Sequence, residues 1–264
     1  MVTNVDTNLK KDNFPFVDVI ITNFNKALFL EEAILSVIKQ TYKNWKLYII
    51  DDNSTDNSVQ IIDKFSGLKN TSIIKLSKNK GPSFCRNYGM RISNSKYISF
   101  LDSDDIWSRE KLSKQIFFME QNKLEFTYTD YTPFIQNNEK KIYKKKTFLK
   151  SFFNYDTFIK NSSINTSTMI ITRSVLGCHR FKKIKLLEDY LFKCELLKNK
   201  IIAKKLAKDL AYYRILRSSR SSKRLKNIYW LWYINKNYNN LNFFRNIISI
   251  FSISINSIKK YGIK

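Results

Sequence analysis

A chain of 264 residues with 43% hydrophobic content has material for one large domain, or for one domain with an extension. Its 47 Lys and Arg against 22 Asp and Glu leave a net charge of +25, which calls for an anionic partner: a polyanion, an anionic membrane surface or phosphorylated small molecules. Three scattered cysteines, Cys85, Cys178 and Cys194, exclude a disulfide framework or a zinc site and suit a reducing, cytosolic setting. The polar N-terminal stretch shows no apolar core of a signal peptide, and 247–258 is too short and too rich in Ser to span a bilayer.

Residues 1–15 read as a polar leader. The stretch 17–22 is β-branched and almost wholly apolar, as a buried strand should be, and Asn23-Phe24-Asn25 breaks it. From 28 to 40, Leu30, Ala33, Ile34, Val37 and Ile38 recur at helical spacing. A second strand over 45–50 ends in Asp51-Asp52-Asn53-Ser54-Thr55-Asp56, where Ser54, Thr55 or Asp56 can cap a helix running through Val59, Ile62 and Phe65. A third strand is expected over 72–76, a helix from Gly81-Pro82 to about residue 93, a fourth strand over 97–101 and a helix over 109–121. Beyond that the alternation fades: a strand over 125–135 turns through Asn137-Asn138 into 140–143, followed by a helix over 151–160, a strand over 167–172, a helix over 187–198 and a last strand over 210–216. From 211 onward the chain holds eleven Lys or Arg and no acid, interleaved with Trp230, Trp232, Tyr233, Phe243, Phe244 and Phe251.

Strand and helix alternating at this spacing predict an α/β fold, Rossmann-like, with a mostly parallel central sheet flanked by helices. In such sheets ligands bind beyond the carboxyl ends of the strands. Residues 22–25, 51–53 and 102–105 all fall there, so three polar clusters converge on one edge. Acids after strands also serve as turns and helix caps, which is the plainer reading for Asp56. The cluster Asp102, Asp104 and Asp105 is different. Three carboxylates within four positions at the end of an apolar strand cost stability unless positive charge lies among them, and an Asp-x-Asp can hold Mg²⁺ or Mn²⁺ while leaving positions for phosphate oxygens. A calcium EF-hand is excluded, because Trp107 stands where the tight-turn Gly is needed. Asp52 could accept from a base N–H of a nucleotide, and Phe24 could stack on that base. Neither a Walker phosphate loop nor G-x-G-x-x-G follows the first strand.

Val19-Ile-Ile-Thr-Asn-Phe-Asn25, Ile49-Ile-Asp-Asp-Asn-Ser-Thr-Asp56, Asn79-Lys-Gly81 with Arg86-Asn87 and Gly89, Tyr97-Ile-Ser-Phe-Leu-Asp-Ser-Asp-Asp105, and Glu188-Asp189 together resemble the successive motifs of family 2 glycosyltransferases with the GT-A fold. The resemblance covers about 16–217. It implies an inverting transfer from a nucleotide-sugar, a UDP-hexose or UDP-N-acetylhexosamine, to a hydroxyl of a glycan or lipid-diphosphate-linked acceptor in lipopolysaccharide, O-antigen or capsule synthesis. It further implies a nucleotide-binding half, 16–121, and an acceptor half, 122–217. Thr22, Phe24, Asn25, Asp52, Arg86, Asp102 and Ser103 would then meet the nucleotide-sugar, and Asp104 and Asp102 would hold Mn²⁺ or Mg²⁺. Asp105 would orient neighbours or cap the next helix. Asp189 would be the base that removes the acceptor proton, with Glu188 supporting it or touching the acceptor. Arg214, Arg217 and Arg220 could add positive charge at the diphosphate.

Read without the other motifs, Glu188-Asp189 is a pair of first-turn acids favouring a helix N-terminus. His179 has no ligand partner nearby in sequence and reads as structural. Two rival functions remain at this stage. A nucleic-acid-binding protein suits the charge, although acids gathered at one cleft would repel a phosphate backbone. A sugar-nucleotide nucleotidyltransferase would want a Gly-rich loop where Asn23-Phe24-Asn25-Lys26 stands. The basic, aromatic extension over 218–264 can lie in a bilayer interface, peripheral on the cytoplasmic face of the inner membrane, or pack as helices on the catalytic domain.

Overall fold

The computed structural model describes residues 14–137, 140–147, 149–216 and 224–261. In chain order the elements are β1 (Val17–Asn23), α1 (Ala27–Ile38), β2 (Trp45–Asp51), α2 (Ser58–Asp63), β3 (Thr71–Lys75), α3 (Pro82–Ile92), β4 (Tyr97–Asp102), β5 (Ile106–Trp107), α4 (Lys111–Gln121) and β6 (Phe126–Asn137). There follow β7 (Lys140–Tyr143), β8 (Phe152–Phe153), α5 (Tyr155–Phe158), β9 (Ile170–Thr172), α6 (Arg173–Leu176), α7 (Glu188–Lys198), β10 (Ala203–Arg214), α8 (Arg224–Asn237) and α9 (Phe243–Tyr261).

The strands join in one sheet of order β3-β2-β1-β4-β9-β6-β10-β5. The first four pair in parallel, β9 runs antiparallel to β4 and β6, and β10 returns parallel to β6. Val17, Val19, Ile20 and Ile21 of β1 are all buried, as a strand covered on both faces requires. The chain steps outward from β1 through β2 to β3, then returns to place β4 on the other side of β1. That reversal is a topological switch point, and it opens a crevice at the carboxyl ends of β1, β2 and β4. Register brings the polar clusters together there: Asn23 lies opposite Asp51, and Thr22 opposite Asp102.

Helix α3 packs directly on β1. A Cβ on Gly89 would stand 2.7 Å from Ile20 Cγ2, so only glycine allows this approach. Gly81, just before the helix, has φ +87°, a left-handed backbone that disfavours side chains.

Several sequence expectations are corrected in the second half. The helix expected over 151–160 is only α5, because Phe152 and Phe153 pair with Lys204 and Ala203 of β10 and Asn154 then caps a short turn. The strand expected over 167–172 begins at Ile170, since 166–168 form a 3₁₀ turn capped by Asn165. The last strand starts at Ala203 rather than 210; lysines and register shifts near Asp209 hide its alternation. Strand β5 was not expected. None of Ser54, Thr55 and Asp56 caps α2, whose N-cap is Asn57 with no side-chain cap bond; Asp56 accepts from the Ser58 amide at 3.0 Å and the Ala27 amide at 2.9 Å, tying the turn before α2 to the start of α1. The tail stretch 247–258 lies inside α9, and no described helix is long and apolar enough to cross a membrane.

Candidate active site

A cavity of about 940 Å³ opens at the carboxyl ends of β1, β2 and β4. Thr22, Phe24, Asp52, Arg86, Asp102, Ser103 and Asp104 line it, and so do Glu188 and Asp189 from the far half of the chain. The first wall grows out of the strand ends. Asp51 is buried and accepts from Asn23 Nδ2 at 2.7 Å and Ser54 Oγ at 2.6 Å, so it shapes the turn. Asp52 faces the loop before α3, where its two oxygens accept from the Lys80 and Gly81 amides at 2.7 and 2.8 Å. Phe24 keeps 44% of its surface exposed beside the cavity, leaving a ring face open for stacking. Asn25 departs from expectation. It is absent from the cavity lining, and its amide group ties to Thr55 instead, accepting from the Thr55 amide at 2.8 Å.

The three acids at the end of β4 are placed differently. Asp105 is buried and accepts from Ser167 Oγ at 2.6 Å and the Arg214 amide at 3.0 Å; it orients neighbours and does not reach the cavity. Burial, reinforced by the charges of Asp104 and Asp102, holds its carboxyl well above the usual range. Asp104 faces Lys26, whose Nζ is 2.9 Å from Oδ2. Burial raises its carboxyl too; the Lys26 ammonium works against that rise and Asp102 adds to it. Asp102 accepts from Arg86 Nη2 at 2.8 Å.

Arg86 joins this cluster to the other half of the site. Its second nitrogen, Nη1, donates to Glu188 Oε1 at 3.3 Å, so one buried guanidinium spans the end of β4 and the start of α7. Burial works against its charge, yet Asp102 and Glu188 outweigh that and raise its pKa. The rest of α3 reinforces the link: Asn87 exchanges hydrogen bonds with the Phe181 backbone at 2.8 and 2.9 Å, and Ser83 Oγ donates to the Lys182 carbonyl at 3.0 Å. These bonds anchor the segment that leads into Leu187, which stands in the left-handed region at φ 63° immediately before Glu188. Strained backbone of this kind is held only where its surroundings fix it.

Asp189 keeps 37% of its side chain exposed while it accepts from Lys193 Nζ at 2.7 Å and Thr166 Oγ1 at 3.3 Å. Burial alone would raise its pKa, but the Lys193 ammonium, with help from Arg86, brings it down to about 2. The carboxylate is therefore ionised across the whole physiological range.

Arg214, expected at the diphosphate, turns away. Its side chain is fully buried, donating to Glu32 Oε2 at 2.7 Å, the Asp104 carbonyl at 2.8 Å and Gln136, with its guanidinium against the rings of Phe29 and Phe134. Arg217 and Arg220 lie outside the described residues. His179 is outside the cavity and meets Asn199 Nδ2 at 2.7 Å. Lys26, Lys193 and Thr166 escaped sequence reasoning. Lys193 had a local signal, since it follows Asp189 by four positions on a helix, but Lys26 and Thr166 had none.

Asp102 and Asp104 could hold a divalent ion. Among the described residues no three His, Cys, Asp or Glu side chains gather round a common point, so the donor set is two hard carboxylates on one turn. That matches Mg²⁺ or Mn²⁺, which bind through one or two carboxylates and complete their shell with phosphate oxygens and water. The Lys26 ammonium beside Asp104 occupies ground where positive charge is already favoured.

The sequence profile of Glycosyl transferase family 2 matches residues 18–182. The chain belongs to this family. It is 34% identical over 219 residues to the UDP-Glc:alpha-D-GlcNAc-diphosphoundecaprenol beta-1,3-glucosyltransferase WfgD of Escherichia coli, covering 82% of this chain and 83% of that one. In fold it is similar to S. aureus TarS 1–349 in complex with UDP-GlcNAc, with a TM-score of 0.70 at 19% identity over 92% of this chain and 72% of that chain. The mannosyltransferase PcManGT of Pyrobaculum calidifontis, in complex with GDP-Man and Mn²⁺, shares the fold with a TM-score of 0.64 at 11% identity, covering 96% of this chain and 78% of that one. The protein is thus a glycosyltransferase of GT-A architecture, a mostly parallel sheet flanked by helices with a helical C-terminal extension.

Proposed function

We propose that this transferase moves a hexose or N-acetylhexosamine from a UDP-sugar to a hydroxyl of a lipid-diphosphate-linked acceptor, with inversion, in bacterial surface polysaccharide synthesis. The observation that carries the reading is one cavity holding both the strand-end cluster and Asp189, joined through Arg86. The name of WfgD, a UDP-Glc:alpha-D-GlcNAc-diphosphoundecaprenol glucosyltransferase, supports the donor and acceptor classes, and the UDP-GlcNAc in complex with TarS supports the donor.

The nucleoside lies along Thr22, Phe24 and Asp52, with Phe24 stacking on the base and Asp52 fixing the loop at 79–81 that borders it. Asp102 and Asp104 would hold Mn²⁺ or Mg²⁺, a reading the Mn²⁺ of PcManGT supports. Bound there, the ion would offset charge developing on the leaving diphosphate. Arg86 holds Asp102 in place and keeps Glu188 aimed at the same space. Asp189 accepts the proton of the attacking hydroxyl, and direct displacement then inverts the anomeric centre. A carboxylate of low basicity accepts that proton late, as the new bond forms. Glu188 contacts or positions the acceptor.

The outer surface of the extension supports peripheral membrane contact on the cytoplasmic face. Helix α9 is inside out: Asn246 and Ser249 are buried, while Phe244, Ile248, Phe251 and Ile258 are exposed at helical spacing. Asn235 of α8 donates to Asn246 Oδ1 and Ser249 Oγ at 3.1 and 2.9 Å, fixing that orientation. An apolar stripe flanked by bases and free of acids suits an anionic bilayer interface.

The test is turnover of a panel of UDP- and GDP-sugars with a synthetic lipid-diphosphate glycan, with Mn²⁺ and with EDTA. Turnover of a UDP-sugar that EDTA and Asp104→Asn both abolish is expected. Exclusive use of GDP-sugars, or full activity of Asp104→Asn in EDTA, contradicts the reading.

A further inference from the structure

One wall of the cavity comes from the C-terminal helix. Ile253, Ser257 and Lys260 of α9 line it, spaced by four and three residues and so on one helix face. Lys260 donates its Nζ to Ser163 Oγ. Ser163 belongs to the same 161–166 segment that supports the base: Thr166 donates to Asp189, and the Ile164 carbonyl accepts from Lys193.

The charges around the cavity are unevenly matched. Lys26 is held by Asp104, and Arg86 by Asp102 and Glu188. No carboxylate pairs with Lys260 among the described residues; its partner is a neutral hydroxyl. An ammonium has three donors, and a mostly buried one with a single neutral partner leaves donors for a ligand. Burial pushes the amine down to about 8, which an arriving anion would reverse. Its partner Ser163 is uncharged, and Ser162, Asn165 and Ser257 add further polar, uncharged groups to the cavity lining.

We infer that Lys260, with Ser163 and Ser257, forms an anionic subsite that takes a phosphate of the acceptor on the Asp189 side of the cavity. The word acceptor rests on the glycosyl-transfer reading above; the subsite itself rests on the cavity wall and its unpaired charge. Two sources share this chemistry, a lipid-linked diphosphate and a water-soluble phosphate. The opposite face of α9, with Phe244, Phe251 and Ile258 exposed, places an apolar surface on the same helix as the subsite.

The test is calorimetric titration of the full chain, with UDP at saturation to fill the nucleotide side. Farnesyl diphosphate, inorganic pyrophosphate and farnesol are titrated into the native protein, Lys260→Gln and Lys260→Arg. Farnesyl diphosphate is expected to lose about tenfold or more in affinity for Lys260→Gln and little for Lys260→Arg, with farnesol unchanged. The same loss with pyrophosphate assigns the subsite to phosphate alone; a loss confined to farnesyl diphosphate assigns it to a lipid-linked phosphate. Equal affinity of native protein and Lys260→Gln for both phosphates overturns the subsite. Direct titration of UDP, unchanged in both variants, reads the donor side separately, so a protein that fails to bind UDP refutes the donor reading whatever α9 does.

Discussion

Lys193 places its Nζ 2.7 Å from Asp189 Oδ2 from one turn further along α7, and its second bond goes to the Ile164 carbonyl at 2.8 Å. A buried cation thus fixes the carboxylate that faces the cavity and sets its ionisation. The folded pKa of Asp189, about 2, lies below the ordinary aspartate value, so its contribution to stability is complete above about pH 4 and is lost as pH falls toward 2. Lys193→Met should raise the pKa of Asp189. If Asp189 takes the acceptor proton, as proposed, the acidic limb of kcat/KM against pH is expected to move upward into the ordinary carboxylate range, with kcat reduced by up to about 100-fold from the misplaced carboxylate. An unmoved limb would show that Lys193 does not act through Asp189.

Arg86 is buried between Asp102 and Glu188, so its removal takes a shared cation from two carboxylates. Arg86→Met should destabilise the fold by about 3–5 kcal/mol, read by urea unfolding. Arg86→Lys should recover part of that stability but not the two-armed geometry, because an ammonium is a point charge. Identical unfolding midpoints for Arg86→Met and the native chain would contradict the bridge.

Lys111 makes the opposite case, a cation buried for no evident functional gain. Its side chain is inaccessible, donating to Ser99 Oγ at 3.2 Å with Nζ 4.0 Å from the Trp107 ring centroid. Burial lowers its pKa well below that of free lysine. The unfolded chain therefore binds the extra proton between the folded pKa and about 10.4, and stability rises with pH across that window. Lys111→Met should be more stable than the native chain at pH 7 by about 1–3 kcal/mol, with the difference shrinking toward pH 10 in urea titrations. A variant less stable at both pH values would assign Lys111 a polar contact that matters more than its desolvation.

The first half of the fold was legible because each strand is a continuous apolar run ending in a polar cluster. The rule for parallel sheets then placed 22–25, 51–53 and 102–105 on one edge. Motif residues identified by resemblance also acquire physical reasons: Gly89 admits Ile20, Gly81 adopts positive φ, and Asn87 clamps Phe181. The second half was harder because its signals are tertiary. Phe152 and Phe153 become strand only by pairing with β10, and Ser167 is kept out of strand where its hydroxyl serves Asp105. Arg214 looked available from its basic surroundings, yet Glu32, more than 180 positions earlier, captures it. No local pattern carries that contact. The cavity wall from α9 was likewise invisible, since an inside-out helix shows its periodicity without saying which face turns inward.

The most direct test of the account is the single-turnover rate of sugar transfer by Asp189→Asn, measured alongside its UDP affinity. The amide keeps the shape and cannot take the proton. A fall of about 10²–10⁴-fold in rate with UDP affinity unchanged is the expected result. A rate equal to that of the native enzyme would remove Asp189 from the chemistry and leave it a first-turn acid of α7.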